Sequence, residues 1–490
     1  MFPKNTGDER IRKMDERNLT LLTDFYELTM GNGYLENGIG DNICCFDLYF
    51  RKVPDNGGFA VMCGLEQAID YIKNLHFSDD DIEFLRSKGI FSEKFLDYLR
   101  DFRFVCDIWA VPEGTPVFPN EPLIIVKGPA IQAQLVETML LLCINHQSLI
   151  ATKAARIVKA ADGRPVMEFG SRRAQGFDGA VYGARAAYIG GCCGTACTIS
   201  DKAMGTPALG TMAHSWVQMF DSELEAFRAY AKCYPDSCTL LVDTYNVLKS
   251  GIPNAITVFK ELEAAGHKPA GIRIDSGDIT YLTKKARKML DDAGFPEARI
   301  CISNSLDEYI IQDILRQGAK IDSFGVGERL ITSRSEPVFG GVYKLTAAEK
   351  DGVLIPKIKL SENVSKITTP DFKELWRFYD NSTGKAMADL ITCYGEEIDD
   401  SGEITIFDPD FPYKKKTLSD FTAKRLHVKV FDKGECVYTS PTATEIRSYC
   451  MAQLDTLWDE VKRFENPHEY YVDLSKKLWD KKNKLLNEMG

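Results

Sequence analysis

The sequence predicts an α/β protein whose middle third, residues 131–350, is a β/α barrel. From about residue 130 to about 345, short apolar runs alternate with amphipathic stretches of helix length. Six of those runs end in polar residues able to do chemistry. In a β/α barrel the carboxyl ends of the strands converge on one mouth, where the active site lies.

The six runs define the expected strands. Pro165-Val166-Met167 leads into Glu168-Phe169-Gly170-Ser171-Arg172-Arg173, Ala208 to Ala213 leads into His214, and Thr239 to Val242 leads into Asp243-Thr244. Ala270 to Ile272 continues into Arg273-Ile274-Asp275-Ser276-Gly277-Asp278, Ile300 to Ile302 into Ser303-Asn304-Ser305, and Ile321 to Phe324 into Gly325-Val326-Gly327. Parallel strands buried on both faces explain why the runs are continuously apolar. An open doubly wound sheet would give a similar pattern; the number of polar strand ends favours the barrel.

The flanks read differently. Residues 1–130 form an N-terminal α+β domain: Cys44 to Arg51 alternates like a strand, Pro54 to Gly58 is turn chemistry, and Phe59 to Cys63 reads as a return strand. Phe104 to Val111 and Pro122 to Val126 add strands, and Gln132 to Lys159 has helical periodicity. Residues 351–490 are a C-terminal mixed α/β region, expected to pack on the other two. It carries strands at Leu354 to Leu360 and His427 to Phe431, a lysine run at 414–416, and an amphipathic helix from Tyr471 to Met489.

Composition narrows the function. In 490 residues, 44% hydrophobic and 27% charged content is that of a globular protein. No uninterrupted apolar run approaches the ~18 residues of a membrane span, and the polar start MFPKNTGDERIRKMDERN lacks the apolar core of a secretory signal. A cytoplasmic protein is expected, with its 14 scattered cysteines reduced. No C-x-x-C pair points to zinc. A net charge of −11 argues against a general nucleic-acid binder, so an anionic substrate needs a local basic pocket.

The strand ends supply such a pocket. Gly325-Val326-Gly327, after the last strand of the region, suits a phosphate held by backbone N–H groups, and Ser303 and Asn304 on the preceding strand end offer further partners. Arg273 and Asp275 project to the same side of an extended strand, one able to clasp a diphosphate and the other to steady ribose hydroxyls or developing positive charge. Asp275 and Asp278 could hold Mg²⁺ indirectly, or the segment could be a structural Arg–Asp pair followed by a helix cap at Ser276 or Asp278. His214, one of six histidines, suits acid, base or phosphoryl acceptor in a phosphate site. Phe169 beside Arg172 and Arg173 suits a flat, anionic aromatic ring.

Taken together, the stretches TDFYELTMGNGY at 23–34, FDLYFRKVP with GGFAV at 46–61, EFGSRRAQG at 168–176, GTMAHSW at 210–216, LVDTYNV at 241–247, RIDSGD at 273–278, FGVGERLITS at 324–333 and NPHEYYVDLSKKLW at 466–479 resemble the nicotinate phosphoribosyltransferases, which are type II phosphoribosyltransferases. The resemblance implies an irregular β/α barrel. It also implies condensation of nicotinate with phosphoribosyl diphosphate to nicotinate mononucleotide and diphosphate, with Mg²⁺ and coupled ATP hydrolysis, in NAD biosynthesis. On that resemblance His214 is the histidine that ATP phosphorylates, Phe169 stacks on the pyridine, and Arg172 and Arg273 bind anions. Asp275 is the ribose-side carboxylate, Thr211 lies in the same substrate site, and Ser303, Asn304, Gly325 and Gly327 hold the 5-phosphate. Tyr26 matches a tyrosine that enters the neighbouring subunit's site, which implies a homodimer with shared active sites. The segment Gly194 to Thr198 carries no acid where nicotinamide enzymes place one, which favours the acid substrate. A nicotinamide phosphoribosyltransferase, or another phosphate-binding barrel enzyme, is the alternative.

Overall fold

The computed structural model describes residues 17–363 and 366–489. The reading of the N-terminal stretch as lacking a signal falls almost entirely on residues 1–16, outside the described residues. By contact the chain divides into two compact units, Ile150–Pro337 and Met1–Leu149 with Val338–Gly490.

The unit Ile150–Pro337 is built on six strands: β1 (Val166–Glu168), β2 (Gly194–Thr195), β3 (Thr239–Leu241), β4 (Gly271–Ile274), β5 (Arg299–Asn304) and β6 (Ser323–Val326). Every neighbouring pair is parallel, in the order β2-β1-β6-β5-β4-β3. Ile272, Ile274, Ile300, Ile302, Phe324 and Val326 are almost wholly buried, as strands covered on both faces require. Register then does the positioning. Glu168 pairs with Val326, Val326 with Asn304, and Gly325 with Ser303, so the carboxyl ends of β1, β6 and β5 lie side by side. The intervening segments are helices, among them Ile252–Ala264, Ile279–Asp292 and Glu308–Arg316.

One expected strand is corrected. Ala208 to Ala213 forms no strand: Ala208 alone bridges Thr195, in parallel. The segment is small-sided and mostly exposed, so a ladder there would bury little, and its later residues hydrogen-bond to a side chain instead. The strand beside β1 is the two-residue Gly194–Thr195, too short to carry a period.

The other unit contains a seven-stranded sheet in the order Val353–Pro356, Gly341–Lys350, Ile43–Phe50, Ile124–Pro129, Asp107–Ala110, Val428–Asp432, Glu435–Cys436, antiparallel throughout. A four-stranded sheet holds Phe421–Arg425, Lys373–Asp380, Ala386–Cys393 and Val472–Leu474. Residues beyond 350 therefore share sheet and core with the N-terminal part. Two expectations change here. The return strand at Phe59 to Cys63 shrinks to Ala60–Val61, which pairs with Pro116–Val117 rather than with the strand before the turn. The final helix starts at Lys476, because Val472–Leu474 joins the sheet with Leu474 opposite Ile391.

Buried charge ties these sequence-distant parts together. Arg377 and Asp389, both fully buried, pair at 2.6 Å, and Tyr470 donates to the same carboxylate at 3.0 Å while stacking on Phe118. Breaking one side of such a pair leaves an uncompensated buried charge, at a cost of about 3–5 kcal/mol. The stretch Ala130–Ala160 is long and apolar enough by composition to cross a membrane, yet 72% of its most apolar window is buried within the fold; Lys153 and Arg156 in it pair with Glu308. Of the 14 cysteines, all but Cys193, Cys233 and Cys436 are buried.

Candidate active site

Chemistry gathers at the carboxyl ends of β3 and β4. His214 opens a short helix, His214–Gln218, and its Nδ1 lies 3.1 Å from the Thr244 hydroxyl, just beyond β3. Its Nε2 faces two carboxylates, Asp243 Oδ1 at 3.9 Å and Asp275 Oδ2 at 3.8 Å. Asp243 is held in place from β4, accepting the backbone N–H of Asp275 at 3.0 Å and the Ser276 hydroxyl at 2.5 Å on one oxygen. Its other oxygen, Oδ1, is buried and has no hydrogen-bond partner among the described residues. A buried, unpartnered carboxylate oxygen calls for a cation or a donor.

Arg273, on β4, donates to the Thr211 hydroxyl at 2.5 Å and to the Met212 carbonyl at 3.0 Å. These bonds account for the irregular path of residues 208–213. Arg273 Nη2 is also 3.8 Å from Asp275 Oδ1, and that oxygen accepts from the hydroxyl of Ser303 on β5. One carboxylate thus joins the ends of β4 and β5, with cation and imidazole within 4 Å.

The ends of β5, β6 and β1 make the neighbouring compartment. Phe169 donates its N–H to Val326 O at 2.8 Å, which brings its ring across Gly325. A Cβ on Gly325 would sit 2.5 Å from that ring and 3.2 Å from Ser303 Cβ; no side chain larger than hydrogen fits. Gly327 leads into the single turn Glu328–Ile331. After Phe169, Arg172 and Arg173 lie exposed on the turn Ser171–Arg173.

Glu168 anchors that turn. Its buried carboxylate accepts the Gly170 N–H on one oxygen and the Thr195 hydroxyl on the other, at 2.6 Å, and burial pushes its pKa up. The segment around Gly194 to Thr198, without an acid of its own, therefore has one beside it, with both oxygens engaged.

Of the residues singled out by sequence, His214, Arg273, Asp275, Thr211 and Ser303 are linked by direct contacts, and Phe169 packs on Gly325 in the next layer. Asn304, at the exposed end of β5, accepts the N–H of Ser305 at 2.6 Å. Asp278 takes its capping role, accepting from Tyr281 N at 2.7 Å at the start of Ile279–Asp292. Among the described residues no group of three or more His, Cys, Asp or Glu side chains forms a metal cluster. Tyr26 belongs to the other unit, 44% exposed near the start of the helix Phe25–Glu36, where burial and the nearby Glu137 push its phenol pKa up. Sequence reasoning placed Glu168, Asp243 and Thr244 at polar strand ends but gave none of them a role.

A parallel α/β sheet whose strand ends unite an arginine, a histidine, two aspartates and a glycine-lined phenylalanine defines an enzyme-like site for an anionic substrate. Comparison with known proteins specifies it. The family model described as the nicotinate phosphoribosyltransferase (NAPRTase) family matches residues 165–381, its N-terminal domain matches 21–145 and its C-terminal domain matches 372–482. The nicotinate phosphoribosyltransferase of Bacillus subtilis is 43% identical over 96% of each chain. The human protein of that name is 30% identical over 94% of this chain and 95% of its own. The crystal structure of human nicotinic acid phosphoribosyltransferase superposes with a TM-score of 0.84 at 28% identity, covering 96% of this chain and all of that one. The chain belongs to the nicotinate phosphoribosyltransferase family.

Proposed function

We propose that this chain condenses nicotinate with phosphoribosyl diphosphate, giving nicotinate mononucleotide and diphosphate for NAD biosynthesis, and couples the reaction to ATP hydrolysis through phosphorylated His214. One observation carries the reading: the contact chain from His214 through Asp275 to Arg273 and Ser303, next to the ring of Phe169 on Gly325. Loss of diphosphate from the anomeric carbon builds positive charge on the ribose, which Asp275 stabilises, while Arg273 takes the charge of the departing diphosphate. The 5-phosphate sits on Ser303, Asn304, Gly325 and Gly327. The pyridine lies on Phe169, with Arg172 as the partner of its carboxylate.

His214 Nε2 faces the Asp243 and Asp275 carboxylates and Nδ1 the Thr244 hydroxyl, a setting in which the imidazole can accept a phosphoryl group. Asp243 Oδ1 and Asp275 Oδ2 suit Mg²⁺, which favours one or two carboxylates completed by substrate oxygens and neutralises diphosphate charge when bound. The sheet is read as an irregular barrel because its first strand pairs with its last, and the one open step, between β2 and β3, is bordered by the Ala208–Met212 segment. Tyr26 is assigned to the partner's site in a homodimer, its exposure leaving it available. The chain is assigned to the cytoplasm, where scattered cysteines stay reduced.

Incubation with phosphoribosyl diphosphate, Mg²⁺, ATP and either nicotinate or nicotinamide tests the assignment. Mononucleotide should form from nicotinate with a kcat/KM roughly 10²-fold or more above that for nicotinamide, since a site built for one charge rejects its neutral isostere strongly. Equal use of both, or preference for the amide, would overturn the substrate assignment.

A further inference from the structure

We propose that the ion pair between Asp307 and Arg329 positions the two loops that hold the 5-phosphate, and so sets the affinity for phosphoribosyl diphosphate; the inference rests on the phosphate reading above. Asp307 lies three residues beyond Asn304, the end of β5, and Arg329 lies three residues beyond Val326, the end of β6. Their side chains pair directly through Arg329 Nη1 and Asp307 Oδ2. Asp307 is fixed at its other oxygen, Oδ1, which accepts the N–H of Ile310 at 2.9 Å and caps the helix Glu308–Arg316. Arg329 stands on the single turn that follows the glycine loop, and a turn of four residues has little intrinsic stability. Its position has to be imposed from outside, and the pair does so across a gap that no backbone bond spans beyond Asn304 and Val326.

A second layer stiffens the first. Glu308, wholly buried, takes Lys153 at 2.9 Å and Arg156 at 2.8 Å from the long helix Glu137–Ala160. Lys153 also donates to Ser335 at 2.8 Å, downstream of Arg329. The segments after β5 and after β6 are therefore both bound to one helix, with the Asp307–Arg329 pair joining them nearest the glycines. Arg329 Nε is buried and without a hydrogen-bond partner among the described residues, so the pair through Nη1 is what holds the guanidinium. Neither side chain is assigned a contact with substrate; they act through loop geometry, where a displacement of about 1 Å costs as much as 10²-fold.

Asp307→Asn keeps the helix cap, because asparagine caps as well as aspartate, and removes the charge; Arg329→Gln removes the other partner at similar length. Each should raise KM for phosphoribosyl diphosphate roughly tenfold, with kcat, KM for nicotinate and Tm close to wild type, and the double variant should be no worse than either single. Arg329→Lys should recover most of the loss. An unchanged KM, an equal rise for nicotinate, or a KM rise that only follows a fall in Tm would overturn the proposal. Ser303→Ala separates the two layers of argument. If it raises the same KM while the pair variants do not, the positioning role fails and the phosphate reading stands; if none of them moves it, the phosphate reading fails as well.

Discussion

His214→Ala abolishes the stimulation of mononucleotide synthesis by ATP and leaves slow, ATP-independent turnover. The imidazole is 40% exposed and makes one hydrogen bond, to Thr244, so its loss leaves the fold intact. On the proposed function, what disappears is the group that would carry the phosphoryl. A phosphorylated His214 adds negative charge within reach of Asp275 and the Arg273 site, changing the relative affinities for substrates and diphosphate. Linkage of this kind is typically worth ~1–3 kcal/mol, or about 5- to 150-fold in affinity. Initial rates with and without ATP, together with loss of acid-labile phosphate on the protein, measure the effect. Stimulation retained in the variant would refute the assignment.

Asp275→Asn lowers kcat by about 10²–10³-fold, the usual loss when one preorganised electrostatic contact to a transition state is removed. The amide keeps the shape and can keep the bond to Ser303, but it has no charge to set against the developing ribose cation. Arg273 also loses its nearest carboxylate, which increases its hold on diphosphate and slows release. KM for nicotinate should change little, because the proposed pyridine compartment, Phe169, Gly325 and the turn at Ser171–Arg173, does not include Asp275. Active-site titration and an unchanged Tm separate this role from misfolding, which would also lower apparent kcat at constant KM by reducing the active fraction. A kcat within a few-fold of wild type would place the catalytic charge elsewhere.

Much of this site was legible because strand ends in a parallel sheet are marked twice in sequence, by a buried apolar run and by the polar residues that end it. Five of the six strands in the catalytic unit carry that mark. Gly194–Thr195 does not, since two residues have no period, and its neighbour at 208–213 mimicked a strand while serving as a hydrogen-bonding ledge for Arg273. Asp243 and Thr244 ended a run that was read correctly, yet nothing local says they face a histidine about 30 residues earlier; only the folded contact does. Asp278 shows the opposite case, a carboxylate whose cap and metal readings looked alike in sequence and whose bond to Tyr281 is that of a cap. The seven-stranded sheet was least legible. Its pairing of Gly341–Lys350 with Ile43–Phe50 joins segments roughly 300 residues apart, and a strand's own pattern does not name its partner.

One sugar phosphate is expected to span the ends of β1, β4, β5 and β6, and a crystal structure of the chain with nicotinate mononucleotide and diphosphate tests this most directly. The 5-phosphate should rest on Gly325, Gly327 and Ser303, the pyridine on Phe169, the ribose beside Asp275 and the diphosphate toward Arg273 and His214. A nucleotide bound away from these strand ends, or one reversed with its ring toward His214, would contradict the account.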